Sequence, residues 1–164
     1  MGQRIAAVSE HPELAPVVAS WLIDAFGNPN RRTVDGLAAL ILSPPVGPEE
    51  TFVLFDRDQP VGTASLAHKD LETRPDLTPW LAGVFVQPAF RSRGYATALV
   101  RRVEAFASAA SVPTLFLYTW TAEALYTRLG WERVGLETHP KMGIEVVLMT
   151  RRLRGGRQAP EAIP

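Results

Sequence analysis

Apolar positions recur along this chain in two rhythms, and the changes from one rhythm to the other outline its elements. The stretch HPELAPVVASWLIDAF places Leu14, Val17, Val18, Trp21, Leu22 and Ala25 at helical spacing. Pro12 and Pro16 belong in its first turn or just before it, and Gly27, Asn28 and Pro29 stop it. TVDGLAALIL predicts a second, shorter helix ended by SPPVGP. A short strand over Arg4 to Val8 precedes both. Thr51 to Phe55 and Val61 to Ala67 are strand-like, and DRDQP between them reads as a hairpin turn.

Trp80 to Val86 is apolar on both alternating faces, the mark of a central strand covered on both sides. The polar, proline-containing loop HKDLETRPDLTP leads into it, and a loop of that length inside a compact domain points to function. Arg93 to Ala110 returns to the helical period, with Leu99, Val103, Phe106 and Ala110 as the expected buried stripe. TLFLYT is a further strand apolar on both faces. TAEALYTRLG is a short helix with Glu123 in its first turn and Gly130 just past its end. WERVGLET and IEVVLMTRR predict a closing hairpin around His139, Pro140 and Gly143. The resulting order, β-α-α-β-β-β-α-β-α-β-β, predicts a mixed α/β domain: a six- to seven-stranded sheet with about four helices on its two faces.

Composition narrows the picture. With 164 residues the chain suits one domain, expected over residues 1–153, and the last residues, 154–164, are too polar and Pro/Gly-rich to pack. Lys+Arg and Asp+Glu both count 17, which argues against a nucleic-acid partner. There is no cysteine, so no disulfide, thiolate metal site or thiol nucleophile. The three histidines are too scattered for a metal site. No apolar run is long enough to span a membrane, and the N-terminus lacks the apolar core of a secretory signal. The expected location is the cytoplasm.

The chemistry gathers where the central strand gives way to the long helix, in VFVQPAFRSRGYATALV. The first turn of a helix leaves its N–H groups without intrahelical partners and partially positive, so an anion gains several hydrogen bonds there. Gly94 does not obstruct close approach, Ala96 is small, and Arg91 and Arg93 add charges suited to phosphate oxygens. These residues alone leave two readings open, a solvated basic turn or a pyrophosphate cradle. The dinucleotide fingerprint G-x-G-x-x-G and the P-loop pattern are both absent.

This stretch resembles motif A of the GNAT superfamily of acetyl-coenzyme A-dependent N-acetyltransferases, [RQ]-x-x-G-x-[GA], met as Arg91, Ser92, Arg93, Gly94, Tyr95 and Ala96 after the strand pattern of Val84, Phe85, Val86, Gln87 and Pro88. AEALYTRLGW resembles motif B, with Tyr126, Gly130 and Trp131. The resemblance covers most of residues 4–153 and implies a GNAT-like fold with acetyl-CoA as cosubstrate and no metal. It implies that the backbone of Val84, Phe85 and Val86 pairs with the pantetheine arm as an added strand. The amides from Arg91 through Ser92, Arg93, Gly94, Tyr95 and Ala96 to Thr97 would hold the pyrophosphate. Tyr126 would be the general acid toward the departing thiolate.

Two departures from the family stand out. Thr119 occupies a position where many members carry an asparagine that contacts the cofactor arm. The strand before motif A, where members often carry a glutamate base, has no acid. The base must then come from elsewhere, with Asp70, Glu72, Asp76 and His68 as candidates and Glu72 preferred. Trp80, Trp21 and Phe26 lie where such folds border the acceptor cleft, and core packing accounts for them equally well. The expected activity is acetyl transfer to a small-molecule or peptide amine. A non-catalytic acyl-CoA-binding module and a domain for another nucleotide are the alternatives. Homodimers are common for this kind of fold, and no interface is legible.

Overall fold

The computed structural model describes residues 2–153; the C-terminal segment expected not to pack, 154–164, lies outside the described residues. Seven strands form one sheet: β1 (Gln3–Ala7), β2 (Glu50–Asp56), β3 (Gln59–Ala67), β4 (Trp80–Val86), β5 (Thr114–Thr119), β6 (Glu132–Thr138) and β7 (Glu145–Arg152). Four α-helices join them: α1 (Ala15–Phe26), α2 (Val34–Ile41), α3 (Tyr95–Ala109) and α4 (Glu123–Arg128). The spatial order is β1-β2-β3-β4-β5-β7-β6, and all neighbours are antiparallel except β4 and β5.

Strand alternation sorts the core into two layers. Phe52 and Leu54 join Val61, Leu99, Val103 and Leu115 in the layer under α3. Val53 and Phe55, one residue out of phase, face Ala15, Val18 and Ala38 of α1 and α2. A third cluster, Leu71, Trp80, Val146 and Leu148, seals the far half of the sheet beneath the β3–β4 loop.

Element edges show where local chemistry overrode periodicity. Pro12 and Pro16 give a single 3-10 turn over Pro12–Leu14 before α1 begins, rather than one continuous helix. The helix after motif A starts at Tyr95, two residues later than the pattern suggests. Ser92 and Gly94 both take left-handed φ, +66° and +82°, which a helix cannot include. In α3 the buried residues are Leu99, Val100, Val103, Glu104 and Ala107, so the inward face carries one carboxylate.

Two features of β4 open the sheet beside it. Thr63 pairs with Phe85 and Ser65 with Ala82, so Gly83 and Val84 together oppose Ala64 in a β-bulge. Gly83 has φ +62°, and a Cβ there would stand 3.3 Å from Leu22 of α1. Further, β4 and the parallel β5 are paired only at Trp80 and Phe116. Beyond that pair, the C-terminal ends of the two strands part.

Candidate active site

The gap between the parting strands opens into a cleft of about 730 Å³. Leu81 to Val84 form one side and Leu117 to Thr119 the other. Tyr126 of α4 closes the floor, and Phe26 of α1, Asp70 of the β3–β4 loop and Lys141 of the β6–β7 turn reach the mouth.

At the motif-A end, Gly94 is the N-cap of α3 and no side chain caps the helix. Among the described residues, no protein acceptor is bonded to the amides of Arg93, Gly94, Tyr95, Ala96 or Thr97. A Cβ on Gly94 would meet nothing within 4 Å, so the space above these amides is open. A row of free donors at a helix N-terminus beneath open space fits phosphate oxygens. The arginines serve the turn itself as much as its charge. Arg91 Nε donates to the Val86 carbonyl at 2.8 Å. Arg93 pairs with Asp56 at 3.3 Å and lies over the Phe90 ring. Tyr95 Oη donates to the same Asp56 at 2.7 Å, which ties the start of α3 to the end of β2.

Tyr126 is 7% exposed, its ring packs edge-on against Trp131, and its hydroxyl has no hydrogen-bond partner among the described residues. Burial pushes its pKa up to about 12, so the phenol stays protonated across any working pH. Thr119 is buried, and its Oγ1 accepts the amide of Ala122 at 3.0 Å. Its oxygen therefore braces the entry to α4, leaving one hydroxyl proton to donate.

The acids sort clearly. Glu72 stands exposed at the rim, 3.6 Å from Lys141. Asp76 is held by Arg74 at 3.0 Å and does not line the cleft. His68 sits beside Thr78. Asp70 lines the cleft, and among the described residues no cation pairs with its carboxyl. The residue as a whole is half-buried, but protein crowds the carboxyl and desolvation pushes its pKa up to about 7. The neighbouring Tyr118, also in the cleft, is raised first by burial and then by the Asp70 charge.

Of the aromatic residues expected near the acceptor, Phe26 lines the cleft. Trp80 does not. It is fully buried in the third cluster with its indole Nε1 committed to the Leu77 carbonyl at 2.8 Å. Its side chain packs with Leu71, Val146 and Leu148 rather than lining the cleft. Trp21 stacks on Phe85 at 5.6 Å, holding α1 on β4. The pattern reading missed Tyr118 and Trp120. They adjoin an apolar strand whose faces are indistinguishable until its neighbours are known.

A parted pair of parallel strands and a bulge at the opening thus lie beside a bare helix N-terminus suited to an anion. The sequence profile of the acetyltransferase (GNAT) domain family matches residues 47–133. The chain belongs to the GNAT acetyltransferase family and is an acyltransferase. Solved structures share the fold across nearly the whole chain. An acetyltransferase of the GNAT family from Streptococcus pneumoniae is 16% identical with a TM-score of 0.69, covering 92% of this chain and 99% of its own. An aminoglycoside 6'-N-acetyltransferase complexed with coenzyme A is 14% identical with a TM-score of 0.73, covering 91% and 96%. The Salmonella typhimurium protein yncA with its cofactor acetyl-CoA is 16% identical with a TM-score of 0.70, covering 99% and 100%. No curated protein matches the sequence. Among the described residues, no helix is long and apolar enough to cross a membrane and no group of side chains could hold a metal ion.

Proposed function

We propose that this protein transfers the acetyl group of acetyl-coenzyme A to a primary amine by direct attack. The observation that carries the reading is that Asp70 and the Tyr126 hydroxyl, which has no hydrogen-bond partner among the described residues, line the same cleft where β4 and β5 separate. When bound, the cosubstrate supplies an activated thioester and a thiolate leaving group. The backbone of Val84 and Val86 holds the pantetheine arm and the amides up to Thr97 hold the pyrophosphate.

Asp70 takes the proton from the incoming ammonium, directly or through a water, and frees the amine lone pair. A carboxyl with a pKa of about 7 is half-ionised near neutrality, which suits a base at working pH. The Val84 amide, at the bulge beside the cleft, is the donor that would polarise the thioester carbonyl. Tyr126 donates its hydroxyl hydrogen to the departing sulfur. A lasting phenolate would be costly in its buried site, so the proton is shared with the sulfur rather than surrendered early. Asp70 displaces Glu72 as the base because Glu72 is exposed and paired with Lys141. The non-catalytic reading rests on the missing acid in β4, and Asp70 removes that support.

Asp70→Asn tests the base. With wild-type protein, kcat/KM rises with pH through about 7 and then levels; the Asn variant loses this limb and most of its turnover. Stability moves the other way. The folded pKa lies above the ordinary aspartate value of 3.8, so the folded state binds the proton more tightly. The Asp70 contribution is therefore lost progressively from pH 3.8 to about 7 and stays unfavourable above. Asp70→Asn should thus melt higher than wild type at pH 8, with the difference vanishing near pH 4. Equal melting temperatures at pH 8 would show that the carboxyl is not desolvated.

Gly94→Val tests the donor cradle. Its φ of +82° strains any L-residue, at a cost of about 1–2 kcal/mol, although the added side chain has room. Strained or shifted amides lose charge-assisted bonds to phosphate, and coenzyme A affinity should fall about tenfold or more. Calorimetry with coenzyme A reads the affinity and a thermal melt reads the fold. Unchanged affinity would place the pyrophosphate elsewhere.

A further inference from the structure

The acceptor end of the cleft brings together two kinds of side chain with different messages. The first is apolar. Phe26 at the end of α1 and Trp120 just past β5 face each other edge-on, with centroids 6.2 Å apart and an interplanar angle of 88°. Trp120 is 39% exposed, and Met142 from the β6–β7 turn is 37% exposed on the same cleft. Trp120 and Met142 are thus exposed, and Phe26 half-buried, along one cleft wall where an apolar guest would cover them.

The second is charge. Four cations line the cleft, Arg32, Lys69, Arg74 and Lys141, against two carboxylates, Asp70 and Glu72. Arg74 is taken by Asp76 and Glu137, at 3.0 and 3.1 Å, and Lys141 by Glu72. Among the described residues, Arg32 and Lys69 have no carboxylate within ion-pair distance, and Asp70 has no cation. The side chain of Asn28 bonds the Arg32 amide and carbonyl at 2.9 and 2.6 Å, which fixes the loop that presents Arg32. The cleft thus offers one unpaired carboxyl for one ammonium, and two unpaired cations against any second one.

We propose that the acceptor is a primary amine carrying a single positive charge on an aromatic or bulky apolar body. The inference rests on the acetyl-transfer reading of the same cleft and names the class of its acceptor. The ammonium goes to Asp70 and the body lies against Phe26, Trp120 and Met142. A polyamine or aminoglycoside would set further ammonium groups beside Arg32 and Lys69 and cover apolar walls with polar surface. The aminoglycoside 6'-N-acetyltransferase that shares the fold is 14% identical, too distant to transfer its substrate to this cleft.

The test compares 2-phenylethylamine and phenylalaninamide with butylamine, spermidine and kanamycin. Binding to the coenzyme A-loaded protein is read by calorimetry, and transfer by thiol release from acetyl-CoA. At least one aromatic amine should bind and react about tenfold better than butylamine, and better still than either polycation. The two aromatic amines separate a free amine from a peptide-like one. Trp120→Ala should raise KM for the aromatic amine about tenfold with kcat nearly unchanged. Arg32→Glu with Lys69→Glu should narrow the gap to kanamycin. Kanamycin or spermidine matching the aromatic amines, an unmoved KM in Trp120→Ala, or no saturable binding of either aromatic amine overturns the proposal. Binding without thiol release retains the acceptor class and sinks the transfer reading instead.

Discussion

Tyr126→Phe is expected to lower kcat by about 100-fold, within the range for loss of a positioned general acid, while KM for acetyl-CoA stays within about twofold. The change removes one oxygen and keeps the ring against Trp131. Among the described residues the hydroxyl has no hydrogen-bond partner, so its removal orphans none of them and the melting temperature should hold or rise slightly. An interaction made only as the C–S bond breaks lowers kcat and kcat/KM together, which separates this role from a binding one. The pH profile adds a second reading. With Tyr126 at about 12 and Asp70 at about 7, activity should rise through neutrality and show no falling limb from the phenol in the alkaline range. A Phe variant with more than a third of wild-type turnover would remove Tyr126 from the chemistry.

The order of the eleven strands and α-helices among the described residues was legible because each is long enough to show its period, and the proposed donor end was legible because its residues are local in sequence. Gly94, the amides after it and Val86 lie within a dozen residues of one another. The acceptor end was not, for three physical reasons. The parting of β4 and β5 depends on a parallel pairing between strands separated by α3, which no local pattern encodes. The bulge at Gly83 is an offset between two strands, visible only in register. Side-chain direction in the irregular β3–β4 loop has no period, so Asp70 and Glu72 could not be told apart until one turned inward and the other met Lys141. Trp80 was ambiguous for a related reason. A strand buried on both faces gives no sign of which face borders a cavity.

The other large effect is expected at Glu104, outside the cleft. This carboxylate is 7% exposed on the inner face of α3. It accepts Arg101 Nη1 at 2.8 Å and the Trp131 indole N–H at 3.0 Å. Arg151 Nε lies 3.4 Å away, buried and without a hydrogen bond of its own among the described residues. Both arginines also donate to the Leu129 carbonyl just past α4, at 3.1 and 2.9 Å, and so brace the end of the helix that carries Tyr126. A Cβ on Gly130 would stand 2.0 Å from Arg151 Nη1, so glycine there admits the guanidinium. Glu104→Leu fills the space but strands two guanidiniums and an indole N–H. Breaking a buried pair from one side costs about 3–5 kcal/mol, and the lower end applies because Arg101 can turn toward water. For a domain of this size that predicts a melting temperature lower by about 6–12 °C. Glu104→Gln keeps an acceptor for Trp131 and should lose less than half as much. Because Trp131 packs on the Tyr126 ring, the Leu variant should also lose kcat more than acetyl-CoA affinity, and a drop of under about 2 °C with kcat intact would show that α4 is held without this network.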